Sequence, residues 1–216
     1  WSEAGAIPCQ AGTNTVTTLT HDASGNMFAG GYFTNAGGNH FVAQLTGNTW
    51  SELGGTSSLG ANGAILSLCV DNSGKVCAAG SFKNSNNKFY VARYNGATWD
   101  DLGGVASLNA NNIINSICAD AYGHVYAAGY FTMAGSFKSV AQFNNGSWSS
   151  IGNINPHGFI GYVNALACDN NNGNCYAGGD FANSNYNMFV ALQAAVAFPL
   201  WYRDIDGDGY GDAYTY

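Results

Sequence analysis

Asp71-Asn72-Ser73-Gly74-Lys75-Val76-Cys77-Ala78-Ala79-Gly80-Ser81-Phe82 decides the fold, because the chain writes this stretch four times. An Asp opens each copy at Asp22, Asp71, Asp120 and Asp169, and a Gly follows at Gly25, Gly74, Gly123 and Gly173. A Gly-x-Phe step recurs at Gly31/Phe33, Gly80/Phe82, Gly129/Phe131 and Gly179/Phe181. Further out, a Val-Ala step begins at Val42, Val91, Val140 and Val190, and Trp1, Trp50, Trp99 and Trp148 stand 49 residues apart. A fixed period of this length is the signature of a repeat architecture, in which most unusual residues serve packing.

Each copy reads as four short strands. In the second, Ile65 to Val70 precedes the Asp-x-x-Gly turn, and Ile65 and Leu68 match Val16/Leu19, Ile114/Ile117 and Val163/Leu166. Val76 to Phe82 follows, with small residues at Ala78, Ala79 and Gly80 that let neighbouring sheets approach. Phe89 to Tyr94 leads into Asn95-Gly96, a strong hairpin signal, and then into the strand opened by Trp99. No helical periodicity appears, so the chain is all-β. Four antiparallel strands in about 50 residues make the blade of a β-propeller.

Asp71 to Phe82, closed by Val91-Ala92-Arg93-Tyr94-Asn95-Gly96, resembles kelch-like and related bacterial propeller repeats over residues 1–193. The resemblance implies an architecture and carries no activity. The expected domain is a β-propeller of four repeats (1–49, 50–98, 99–147 and 148–198) with a C-terminal extension, 199–216. Trp1-Ser2-Glu3-Ala4-Gly5 matches Trp50 to Gly54, the last strand of a blade. It is therefore expected to complete the fourth blade and close a small ring. An open arc completed by a neighbouring molecule is the alternative.

Pairing strands about the Asp-x-x-Gly turn sets Cys69 opposite Cys77 and Cys168 opposite Cys175. Both pairs are expected as cross-strand disulfides, which form in an oxidising compartment. Cys9 and Cys118 are left to pair with each other or with another chain. A start at Trp1 with no leader fits a processed, extracellular protein.

The repeat breaks in two places. The first is Val190-Ala191-Leu192-Gln193-Ala194-Ala195-Val196-Ala197-Phe198-Pro199-Leu200-Trp201-Tyr202, apolar where the other copies carry a polar turn. It is expected either to pack on its own propeller or to dock on another copy through Val190, Leu192, Val196, Phe198, Leu200 and Trp201. A head-to-tail contact that does not close builds a filament. The second break is Asp204-Ile205-Asp206-Gly207-Asp208-Gly209-Tyr210-Gly211-Asp212. Its carboxylates follow the calcium-loop spacing, with the Tyr210 carbonyl as a further oxygen and no bidentate Glu at the last position. Residues 201–212 also resemble thrombospondin type 3 calcium repeats and motifs that follow repeat domains in bacterial surface proteins. Calcium is the expected ion, held by Asp204, Asp206, Asp208, Tyr210 and Asp212.

Only 9% of residues are charged, and the formal net charge is −7. Six Lys and Arg do not make a phosphate-binding stripe, which excludes nucleic acid and anionic membranes as expected partners. No apolar run reaches the length of a membrane-spanning helix, so no membrane insertion is expected. The four His residues (His21, His40, His124 and His157) fall at unrelated repeat positions, and Glu is confined to Glu3 and Glu52. No nucleophile with a base is legible, and the chain reads as a non-enzyme. The leading expectation is a secreted, self-assembling surface protein stiffened by calcium. The alternative is a carbohydrate-binding adhesin that uses Asn and Ser with Tyr32, Tyr90, Tyr130 and Tyr162. Against it, one column reads Tyr32, Ser81, Tyr130 and Asp180, which is not a site repeated in every blade.

Overall fold

The computed structural model describes residues 2–12, 14–133, 139–153, 162–169, 173–180, 190–193, 201–203 and 212–213. The architecture is all-β, in four antiparallel sheets. The first holds β1 (Val16–His21), β2 (Met27–Gly31), β3 (Ala43–Thr46) and β4 (Thr49–Glu52). The second holds β5 (Ile65–Val70), β6 (Val76–Gly80), β7 (Ala92–Tyr94) and β8 (Trp99–Asp101). The third holds β9 (Ile114–Ala119), β10 (Val125–Gly129), β11 (Ser139–Asn144) and β12 (Ser147–Asn153). The fourth runs β13 (Val163–Cys168), β14 (Cys175–Gly179), β15 (Ala191–Gln193), β16 (Trp201–Arg203) and β17 (Asp212–Ala213). Strands follow chain order in every sheet, so each is a simple meander.

The quoted stretch explains the unit. Asp71 Oδ1 accepts from the Ser73 and Lys75 amides at 2.9 Å each, and Gly74 takes a φ of 75° that other residues resist. Asp22 and Asp120 hold their turns in the same way. A Cβ on Gly80 would meet the Ala64 carbonyl, and Gly31, Gly129 and Gly179 face Thr15, Ile113 and Tyr162 alike. That close approach lies beside a register shift in the first strand of each sheet, a bulge that frees one backbone amide from the ladder. The Phe two residues beyond each of the first three of these glycines is fully buried, at Phe33, Phe82 and Phe131.

Sheets stack through their first strands, β1 on β5, β5 on β9 and β9 on β13. At each step the forward face of one sheet meets the backward face of the next in an apolar cluster. Phe28 and Val42 meet Ile65 and Leu68. Ala79 and Val91 meet Ile114 and Ile117. Ala128 and Val140 meet Val163, with Leu166 packed alongside. Two polar rungs repeat as well. The hydroxyls of Thr18, Ser67 and Ser116 accept from the first-strand amides of Leu68, Ile117 and Leu166 in the next sheet, at 3.1, 3.0 and 2.9 Å. The indole N–H groups of Trp50, Trp99 and Trp148 donate to the carbonyls of Ala4, Leu53 and Leu102. The periodic Trp is thus a link between successive copies.

β1 and β13 do not pack on each other as their internal counterparts do. Among the described residues the sheets form no closed ring. Ala4 and Gly5 lie against Trp50 and Asn48 of the first sheet, so the N-terminal segment supplies a Trp acceptor there. The place beside β15 is taken by β16, with Leu192 opposite Tyr202 and Gln193 opposite Trp201. The two described ends of the apolar run, β15 and β16, therefore lie side by side in the fourth sheet. Val190 is exposed, while Val196, Phe198 and Leu200 lie outside the described residues.

Candidate functional site

The four tyrosines that suggest sugar chemistry separate into two groups. Tyr90 belongs to the core, packed edge-on against Phe82 at 5.1 Å, with burial and then the Asp101 charge pushing its phenol up to about 12. The others stand at the strand ends beside the close-approach glycines. The amides of Tyr32, Ser81, Tyr130 and Asp180 donate to the carbonyls of Thr15, Ala64, Ile113 and Tyr162, one such bond per sheet. Tyr32 is half exposed at 51%. Tyr130 and Tyr162, from adjacent sheets, form an edge-to-face pair at 4.5 Å. The bulge residues add Asn115 and Asn164, whose amides meet at 3.4 Å, and Asp180 is exposed at the far end. The strip combines ring faces, amides and one carboxylate, a set suited to binding polyols. Asn115 and Asn164 were legible as a 49-residue pair, but the bulge that turns both to this edge was not.

The Asn-rich loops contribute less than their composition promises. Asn35 Oδ1 accepts from the Gly37 and Asn39 amides, and its Nδ2 reaches Glu52. Asn84 repeats the pattern with Asn86, Lys88 and Asp101. Asn62 and Asn111 each clamp a neighbouring loop, at Lys83 and Thr132. These amides are spent on loop structure.

Asp120 is the most connected acid. It is buried, its Oδ1 caps the turn, and its Oδ2 accepts from the Tyr126 hydroxyl at 3.0 Å and from His124 Nδ1 at 2.7 Å. Gln142 donates to the same hydroxyl at 2.9 Å, and burial with the Asp120 charge raises the Tyr126 phenol. A carboxylate with four donors is a turn cap and core anchor.

The cysteine registers are as read from the sequence: Cys69 faces Cys77 and Cys168 faces Cys175. The bonding differs. Cys168 is joined to Cys118 of the third sheet, and Cys69, Cys77 and Cys175 are free thiols, as is exposed Cys9. Strand parity is the reason. Cys69 and Cys77 point forward, into the cluster with Ile117 and Val125. Cys168 and Cys175 sit one register step away and point backward, where Cys118 meets them. Cys175 Sγ lies 3.3 Å from Cys168 Sγ and 3.5 Å from Cys118 Sγ. Its thiol is pushed up to about 12 by burial and then by the Asp120 charge.

Asp204, Asp206, Asp208 and Tyr210 lie outside the described residues, and of Asp212 only the backbone is described. Arg203 pairs with Asp212 across β16 and β17.

No family model matches this chain, and no curated protein does. Among solved structures it is similar to a fucose lectin from Kordia zhangzhouensis in complex with methyl-fucoside. That match has 13% identity and a TM-score of 0.42, over 62% of this chain and 95% of the lectin. It is also similar to the extracellular domain of a one component system from B. thetaiotaomicron, at 15% identity and a TM-score of 0.45. There it covers 88% of this chain and 26% of that one. A hybrid two component system's extracellular domain matches at 11% identity and a TM-score of 0.34, over 92% of this chain and 34% of its own length. At these scores the likenesses transfer neither fold nor ligand, and the architecture above rests on this chain's own register and burial.

Proposed function

We propose that this chain is a non-catalytic, extracellular carbohydrate-binding module that reads glycans along the strip of Tyr32, Tyr130, Tyr162, Asn115, Asn164 and Asp180. The observation that carries this reading is the Tyr130–Tyr162 pair beside the Asn115–Asn164 amides at one sheet edge. Tyrosine presents an apolar face to the C–H side of a sugar ring and a hydroxyl to its rim. Amides and a carboxylate satisfy hydroxyls whose burial would otherwise cost free energy. The Cys118–Cys168 bond and the weakly charged surface support an oxidising, extracellular setting. The open row of sheets fits a propeller arc, with strip residues from its first, third and fourth sheets.

In the same reading the acidic stretch takes calcium. Its donors are hard oxygens at calcium-loop spacing, and β16 and β17 bring its two ends together. The ion would stiffen a turn that is otherwise self-repelling.

A glycan array probed with the chain and with Tyr130→Ala tests the binding reading. Retention of a defined sugar class by the chain, reduced at least tenfold in Tyr130→Ala, supports it. No retention at protein concentrations of about 100 μM defeats it.

A further inference from the structure

Three of the six exposed large hydrophobic residues hold repeat positions that are buried wherever a neighbouring sheet exists. Val190 is 60% exposed, whereas Val42, Val91 and Val140 at its position are covered by the following sheet. Leu19 is 59% exposed, whereas Leu68 and Ile117 are covered by the preceding one. Val16, at 45%, stands where Ile65, Ile114 and Val163 are fully buried. Val16 and Leu19 on the backward face of the first sheet and Val190 on the forward face of the fourth thus have no neighbouring sheet against them among the described residues, while Ile7 packs beside Ala29, Ala43 and Trp50 of the first.

These two faces are the complementary halves of the interface that the chain builds three times internally. We propose that a second copy of this chain docks head to tail, with the Val16/Leu19 face of one copy on the Ala165/Ala167/Val190 face of the other. Continuity with the internal interfaces is the warrant, since β1 would meet β13 as β5 meets β1. Neither Val16-Thr17-Thr18-Leu19-Thr20 nor Val163-Asn164-Ala165-Leu166-Ala167 carries a charge, so docking strips no ion of water. The contact is heterologous, using different patches on the two copies. Val16, Leu19 and Val190 lie outside the sugar strip, although Asn164 of that strip is on the docking strand β13, and the contact does not need the apolar run beyond Gln193.

One detail sets its strength. Thr18, Ser67 and Ser116 each satisfy a first-strand amide on the next sheet. The fourth sheet has Ala165 at that position, so the docked Leu19 amide gains no hydroxyl. The intermolecular step is weaker than the internal ones by one hydrogen bond to a buried donor.

Sedimentation velocity from roughly 1 μM to 1 mM tests this on the full chain, on Leu19→Asp and on Val190→Asp. The mass of the unaltered chain is expected to rise with concentration, and each variant alone stays monomeric. An equimolar mixture of the two variants forms a one-to-one pair and nothing larger, because each keeps the face that the other lacks. Ala165→Ser is expected to tighten association about five- to tenfold, a gain that misfolding does not mimic. A chain that is monomeric throughout, variants that associate like the parent, or a mixture that fails to pair would each overturn the proposal. Glycan retention by Leu19→Asp and Val190→Asp is expected to equal the parent's, so the two proposals fail separately.

Discussion

The second and third sheets lie between two neighbouring sheets, the first and fourth beside one, and the differences in strand burial among the four copies follow from that. β5 and β9 share one burial pattern, while β1 and β13 are exposed at alternate residues of opposite parity. Residues of the same type at the same repeat position therefore differ in burial because of what lies beside them. In a stacked repeat, stability belongs to interfaces as much as to units.

The largest expected effect breaks this comparison at its apolar centre. Ile65→Ala should cost about 2–5 kcal/mol, whereas Val16→Ala at the same position should stay within about 0.5 kcal/mol. Urea unfolding of both variants, monitored by tryptophan fluorescence, measures the contrast. Equal losses would mean that the first sheet is covered after all.

The next effect sharpens the third interface against the second. Cys118 bonds across the sheets to Cys168, whereas Cys69 and Cys77 face each other as thiols. Cys118→Ala is expected to lose about 2–4 kcal/mol. Peptide mapping without reduction should recover Cys118 linked to Cys168. Recovery of Cys69 linked to Cys77 would show that strand register outweighs the free-thiol arrangement.

Ser67→Ala removes a hydroxyl that serves the buried amide and carbonyl of Ile117, and should cost about 1–3 kcal/mol. Ala165→Ser has no internal partner to gain and should leave the unfolding midpoint of the dilute chain unchanged.

The smallest effect is a pH slope. Cys175 holds its proton to about 12 in the folded chain, and an unfolded cysteine releases it near about 8.5. Between those values the unfolded state binds fewer protons, so stability falls as pH rises, by at most about 1.4 kcal/mol per unit. Below that window the contribution is fully present. Urea midpoints at pH 8, 9 and 10 should therefore fall more steeply for the parent than for Cys175→Ala. Parallel slopes would place Cys175 in a wetter environment.

The periodic residues made the sheets legible. The Asp-x-x-Gly turns, the Gly-x-Phe steps and the cysteine registers all follow from local chemistry repeated at one interval. What a repeat unit does not encode is how the units meet. The Trp spacing revealed the period, but not that each indole reaches back to the preceding copy's carbonyl. The cysteine registers were readable, yet the partner of Cys168 depended on which sheet its face opposes. The sugar strip was half visible as the column Tyr32, Ser81, Tyr130 and Asp180. Its Asn115 and Asn164 reach the same edge only through a bulge, which leaves no residue-type signature. The loop asparagines misled for the converse reason, since composition does not distinguish an amide facing solvent from one spent on its own turn.

The open row makes its most direct claim at four equivalent first-strand amides: Leu19, Leu68, Ile117 and Leu166. Hydrogen exchange of the dilute chain, resolved by NMR, measures all four in one experiment. The account predicts strong protection at Leu68, Ile117 and Leu166, whose amides meet a hydroxyl of the preceding sheet. It predicts exchange near the unfolded rate at Leu19, which has no preceding sheet. Equal protection at all four would mean that the ends meet and the sheets form a closed ring.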